Sequence, residues 1–134
     1  MKLNIRHISF IILCIYIAAV AVLCFMKTDS LPSVDMYFLG IPMDKIVHFL
    51  MFAPFPVLAY MTFWPAKAGK PGKLGVLAVI VAAGAGLAKA TERIQSMLGY
   101  RTGDPMDFLS DMTGILDGGL MIAAFILFKK ENRK

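Results

Sequence analysis

The sequence contains one tryptophan, two histidines and two cysteines in 134 residues, and no polar stretch long enough to fold by itself. Each shortage closes a class of function. Cys14 and Cys24 fall in one helical run, where the rise per residue would hold them about 15 Å apart, far beyond disulfide reach; they give no redox compartment. A lone His48 in the body of the chain, with no partner histidine and no HExxH-like spacing, makes a weak case for a metal centre. No metal ligand is therefore assigned. No Ser or Cys stands in a recognisable nucleophile motif, and Ser96 and Ser110 read as helix-face hydroxyls. Catalytic residues stay unassigned and enzymatic activity open. Nothing suggests haem, flavin or nucleotide, so no cofactor is expected.

Apolar residues are abundant instead. They make up 58% of the chain and raise its mean hydropathy to +0.70, well above an ordinary soluble domain. They fall into four runs, Ile8 to Met26, Ile46 to Trp64, Leu74 to Ala90 and Phe108 to Phe128. Each is near the roughly 17 to 25 residues that cross a bilayer as helix. The sequence predicts an all-α membrane protein with helices over 8–26, 46–64, 74–97 and 105–128, forming a single integral domain over 1–134. The first run follows Lys2, Arg6 and His7 as a signal peptide would, but it is longer than the usual apolar core and lacks a small-x-small cleavage site. It is read as a retained helix.

A net charge of +5 and a pI near 9.4 invite a nucleic-acid partner, yet the placement of the charge argues against one. Lys2 and Arg6 precede the first helix, Lys67, Lys70 and Lys73 lie between the second and third, and Lys129, Lys130, Arg133 and Lys134 follow the fourth. By the positive-inside rule that side is cytoplasmic, which puts both termini inside. Eight of the nine acidic residues, Asp29, Asp35, Asp44, Glu92, Asp104, Asp107, Asp111 and Asp117, then lie in outer loops or in helix halves reached from outside.

Local signals refine this layout. Pro32, Gly40 and Pro42 favour turns over regular structure in the first outer loop. Pro54 and Pro56 fall in mid-span, freeing carbonyls near Leu50 and Phe52, so the second helix should kink. Asp104 can cap the helix that Pro105 begins. The third helix carries Ala78, Ala82, Gly86 and Ala90 at four-residue spacing, a small-xxx-small face suited to close packing, and Gly114 and Gly118 on the fourth offer the matching element.

The polar residues form a constellation. Asp44 and His48 share a face at the outer end of the second helix, and Glu92 and Gln95 share one on the third. Asp107, Asp111, Gly114 and Gly118 form a stripe on the fourth. Arg101, in the short loop between Glu92 and Asp107, could fork onto a carboxylate or a bound anion. Ionisable groups at a bilayer are expensive and mark a site by default; the competing reading is mutual neutralisation that holds helix ends together. Asp117 approaches the bilayer midplane. It is read as a carboxyl packed beside Gly118 and Gly119 and hydrogen-bonded to a neighbour, with a proton-relay role as the alternative.

The segments DKIVHFLMFAPFPVLAY at Asp44 to Tyr60 and ERIQSMLGYRTGDPMDFLSDMTGILDGG at Glu92 to Gly119 resemble the VanZ-like family of small bacterial membrane proteins. Asp44, Lys45, His48, Glu92, Gln95, Arg101, Asp107 and Gly114 match its pattern in order and spacing. Asp111 stands where many relatives have Asn, which makes this pocket more acidic, and the first helix matches only in layout. The resemblance implies a multi-pass protein of the bacterial cytoplasmic (inner) membrane. The family's namesake is associated with low-level resistance to teicoplanin, a glycopeptide antibiotic that acts on the cell envelope. The expected partners are the lipid bilayer and a lipid-linked cell-wall precursor or other anionic envelope ligand, with homo-oligomers possible and nucleic acid excluded. Arg101 would hold an anionic group, His48 and Glu92 would form the polar floor, and Asp107 would orient Arg101. A membrane enzyme acting on a lipid head group and a small proton-coupled transporter are the alternatives.

Overall fold

A computed structural model of the chain describes residues 4–27, 37–99 and 103–130. The elements are α1 (Ile5–Phe25), a two-residue antiparallel pair β1 (Tyr37–Phe38) and β2 (Ile41–Pro42), α2 (Met43–Phe52), α3 (Pro54–Thr62), α4 (Lys70–Met97) and α5 (Pro105–Phe128). Four helical segments are long and apolar enough to cross a membrane: Ile5–Phe25, Met43–Thr62, Lys70–Met97 and Pro105–Phe128. These are the four helices expected from the sequence, with starts three to four residues earlier for the first three. Asn4 accepts from the Arg6 N–H at the start of α1. At α4, Pro71 stands within the first turn, where a missing N–H costs nothing.

The second span is divided where Pro54 and Pro56 predict it. Ala53 keeps right-handed helical angles (φ −58°, ψ −38°), so α3 follows α2 without a loop. Each proline lacks the N–H that would bond the carbonyl four residues earlier. The Tyr16 hydroxyl of α1 donates to the Met51 carbonyl beside this break. The small hairpin before α2 was not expected from a loop rich in turn residues. Its two central residues, Leu39 (φ +52°) and Gly40 (φ +79°), both take left-handed angles, as a tight two-residue hairpin turn requires. Its apolar residues Tyr37, Phe38, Leu39 and Ile41 are all exposed.

Packing follows from small residues, but not the pair the sequence suggests. Gly114 and Gly118 of α5 abut α2 and α3. A Cβ at Gly114 would lie 2.4 Å from the Phe49 carbonyl oxygen, and one at Gly118 would lie 2.2 Å from that of Ala53. The fourth span thus presses its backbone against the proline break rather than against the Ala/Gly face of α4. On α4 the packed glycine is Gly84, against Phe55 and Ile115, whereas Gly86 has open space where a Cβ would stand. Ala78, Ala82, Gly86 and Ala90 are all exposed. The glycine assigned to helix packing at 86 is therefore corrected to 84.

Two apolar clusters fill the interior. Leu13, Phe55, Ala59, Tyr60, Leu77, Ile80 and Ile126 form one, and Val20, Cys24, Phe52, Ala88 and Ile115 form the other. At one end basic side chains serve the helix termini. Arg6 donates to the Thr62 carbonyl, Lys70 donates to the Leu127 carbonyl at 2.9 Å, and Lys73 and Lys129 lie over the Trp64 ring. Such cations satisfy last-turn carbonyls that the helix cannot. Asp44, Asp104, Asp107 and Asp111 gather at the opposite end.

Candidate functional site

The acidic end is assembled by α2 and α5. Their first turns meet because the glycines farther along α5 allow the two backbones to approach. Positions 44, 45 and 48 of α2 then face positions 104, 107 and 111 on α5, whose three- and four-residue steps keep them on one side of the helix. Asp104 also performs the capping role expected of it, accepting from the Met106 N–H at 2.9 Å ahead of Pro105.

Lys45 is the hub. Its ammonium contacts Asp104 Oδ2 and Asp107 Oδ1 at 2.5 Å each and Asp44 Oδ2 at 2.9 Å. Asp107 spends its second oxygen on the other side, where Oδ2 lies 3.6 Å from His48 Nε2. His48 Nδ1 lies 2.9 Å from Asp111 Oδ1. The result is a continuous chain, Asp104–Lys45–Asp107–His48–Asp111, graded from water to interior. The rim carboxylates Asp44 and Asp104 are 57% and 43% exposed, while the His48 and Asp111 side chains at the floor are 5% and 2% exposed.

Charge along this chain is unbalanced. Asp44, Asp104, Asp107 and Asp111 face one lysine and one histidine, so carboxylates exceed cations even when His48 is protonated. Carboxylate oxygens of Asp44, Asp104 and Asp107 lie within 4.8 Å of one another, and the Lys45 ammonium supplies the positive charge among them. At the rim, the hydrogen bond from Lys45, helped by the Met106 N–H, holds the Asp104 carboxyl below the usual carboxylate range.

Other expected members of the constellation point elsewhere. Glu92 pairs with Lys89 of its own helix at 2.7 Å and does not contact His48. Gln95 is buried, but its amide donates to the Cys24 carbonyl in the last turn of α1 at 2.9 Å. It therefore fastens α1 to α4 rather than lining the pocket. Asp107, expected to orient Arg101, is engaged by Lys45 and His48; Arg101 itself lies outside the described residues. Asp117 is exposed on the outer face of α5 with no polar partner among the described residues, which overturns its reading as a carboxyl packed within the bundle. The residue that sequence reasoning missed is Asp104, read only as a cap. Its spacing from Asp107 and Asp111 was the available signal.

The role of Gln95 is testable. Gln95→Leu should lower stability by about 1 to 3 kcal/mol, because a buried carbonyl loses its donor. Thermal denaturation in detergent would measure this, and any ligand held at the acidic end should be retained. Comparisons with protein-family models, with curated proteins and with solved structures return no match.

Proposed function

We propose that the chain is a VanZ-like protein of the bacterial cytoplasmic membrane, with both termini inside and the acidic end facing out. The pocket at that end binds a cell-envelope molecule, a lipid-linked or peptidoglycan precursor, and through it bears on glycopeptide (teicoplanin) susceptibility. The observation that carries this reading is the graded chain from exposed Asp44 and Asp104 to buried His48 and Asp111. Burying four ionisable side chains merely to join two helices is costly, since apolar residues of similar volume would pack at least as well. The motif residues Asp44, Lys45, His48 and Asp107 also support it by meeting at one place. Because carboxylates outnumber cations, the rim favours an ammonium or other donor group on the ligand. Arg101 is the residue the sequence supplies for an anionic part.

Native mass spectrometry in mild detergent tests the proposal. The wild type should retain an envelope-derived lipid or lipid-linked species, and Asp107→Asn and Arg101→Ala should each lose at least nine-tenths of it while remaining folded. A wild type that carries nothing, even after incubation with membrane lipid extract, would overturn the binding reading.

One geometric feature favours a second reading, a membrane enzyme acting on a lipid head group. Asp111 on Nδ1 of His48 is the arrangement by which a carboxylate orients an imidazole for proton transfer. Turnover lost in His48→Gln with binding intact would select it. A proton-coupled transporter working through Asp117 draws nothing from the array, because that side chain faces away from it.

A further inference from the structure

α5 has two faces. Asp111, Gly114, Ile115, Gly118, Gly119 and Ile126 are buried against the rest of the bundle. On the opposite side Met106, Ser110, Thr113, Asp117, Leu120, Ala124 and Leu127 follow one another in alternating steps of four and three. All are exposed except Ser110, which is half-buried. That alternation is the 3.5-residue repeat of a two-helix seam, maintained along the whole helix. Among the described residues, no side chain of this row is hydrogen-bonded or ion-paired to another element.

Asp117 sits at the centre of this seam. It is about 18 Å along the helix from Pro105 and about 16 Å from Phe128, so in a bilayer it lies near mid-depth. A carboxyl facing hydrocarbon there has neither water nor a polar partner, and such groups normally meet one in protein. The rest of the described outer surface offers only a weak donor near that depth, the Cys14 thiol of α1: the exposed face of α4 there is Ala78, Val79, Ala82, Ala83 and Gly86, and Tyr16 of α1 is already bonded to Met51. A thiol is a poorer partner for a carboxyl than a second carboxyl is, so a contact between α5 and a different face of another copy would satisfy Asp117 less well.

We propose that two copies of the chain pack α5 against α5 in parallel along this seam, with the two Asp117 carboxyls meeting at its centre. A two-fold axis along the membrane normal places identical residues at identical depth, so each Asp117 finds the one group that matches it. A carboxylic acid donates its O–H to the facing carboxyl oxygen. Small or short side chains at Ser110, Thr113 and Ala124 let the helices come close, as helix pairs in lipid require. The inference rests on the membrane-spanning reading of α5 and is independent of what the acidic pocket binds.

The test uses the full chain with both cysteines replaced by alanine and single cysteines introduced for oxidative cross-linking in native membranes. Thr113→Cys, Leu120→Cys and Ala124→Cys should form disulfide-linked dimers, and Leu116→Cys, exposed but off the seam, should not. Adding Asp117→Leu should reduce the Leu120→Cys cross-link at least fivefold, whereas Asp117→Asn, whose amides can pair with each other, should leave it within twofold. Equal cross-linking at Leu116 and Leu120, no cross-linking at the seam, or an undiminished yield with Asp117→Leu would each overturn the proposal. No seam cross-link would mean that lipid or another protein covers this face. Retention of the chain in carbonate-washed membranes, measured on the same samples, separates failure of the seam from failure of the membrane reading.

Discussion

Gly118→Ala should destabilise the protein by about 3 kcal/mol, the upper part of the range for overpacked interiors, although alanine is the better helix former. The added Cβ would sit 2.2 Å from the Ala53 carbonyl oxygen and close to the Pro56 ring. The nearest atom is backbone and cannot rotate away, so α5 must withdraw from α2 and α3. Gly114→Ala should behave alike, facing Phe49 oxygen at 2.4 Å and Ala53 nitrogen at 3.0 Å. Gly86→Ala is the control: with nothing near its Cβ position, it should gain up to about 1 kcal/mol from helix propensity alone. Unfolding by sodium dodecyl sulfate in mixed micelles would rank the three. Equal stability of the Gly118 and Gly86 variants would refute the close approach. Withdrawal of α5 also parts Asp104, Asp107 and Asp111 from Lys45 and His48, so the Gly118 variant should lose pocket occupancy too.

Lys45→Ala should have the second large effect, and its dependence on conditions is distinctive. Removing the ammonium leaves Asp44, Asp104 and Asp107 with carboxylate oxygens within 4.8 Å and no cation among them. Breaking a buried ion pair costs about 3 to 5 kcal/mol; with two of the three carboxylates roughly half exposed and screened by water, about 2 kcal/mol is expected here. In the wild type the depressed Asp104 carboxyl stabilises the fold above its unfolded pKa, and that contribution is lost as pH falls through the folded value. In the variant the sign reverses, because protonation relieves repulsion, so acidification should stabilise it. Millimolar calcium, an oxygen-seeking divalent ion, should restore part of the loss in the variant and leave the wild type unchanged. Thermal denaturation across roughly pH 3 to 7, a window that contains the ordinary carboxylate values, with and without calcium, would check both signs. A variant as stable as the wild type throughout would show that Lys45 is not the hub.

Much of the architecture was legible because lipid-length apolar runs and prolines act locally. Ile8 to Met26 announces a span without reference to any other residue, and Pro54 announces a break. The tip of the hairpin was not legible, since Leu39 holds left-handed angles that its side chain does not advertise. Within the site, the pairs Asp44/His48 and Asp107/Asp111 could be placed on common faces from spacing alone. Which faces meet could not. Small residues mark where a helix can be approached and not by what, so Gly114 and Gly118 read as the match of the Ala78, Ala82, Gly86 and Ala90 face when their neighbours are Phe49 and Ala53. Gln95 shows the same limit: an amide at the end of a helix reads as pocket lining until the Cys24 carbonyl of a distant turn is found beside it.

The hairpin at Tyr37 to Pro42 has a bearing on how the pocket is reached. It leads directly into α2, whose first turn carries Asp44 and Lys45, and its side chains Tyr37, Phe38, Leu39 and Ile41 are 50% to 87% exposed. In a bilayer, aromatic and aliphatic groups so placed settle among the lipid head groups. On the proposed membrane placement the hairpin would act as a float that sets the waterline of the molecule just above Asp44 and Asp104. A rim at that depth would open sideways onto the leaflet, and the proposed lipid-linked ligand would arrive by two-dimensional diffusion, tail still in the hydrocarbon, without first leaving it.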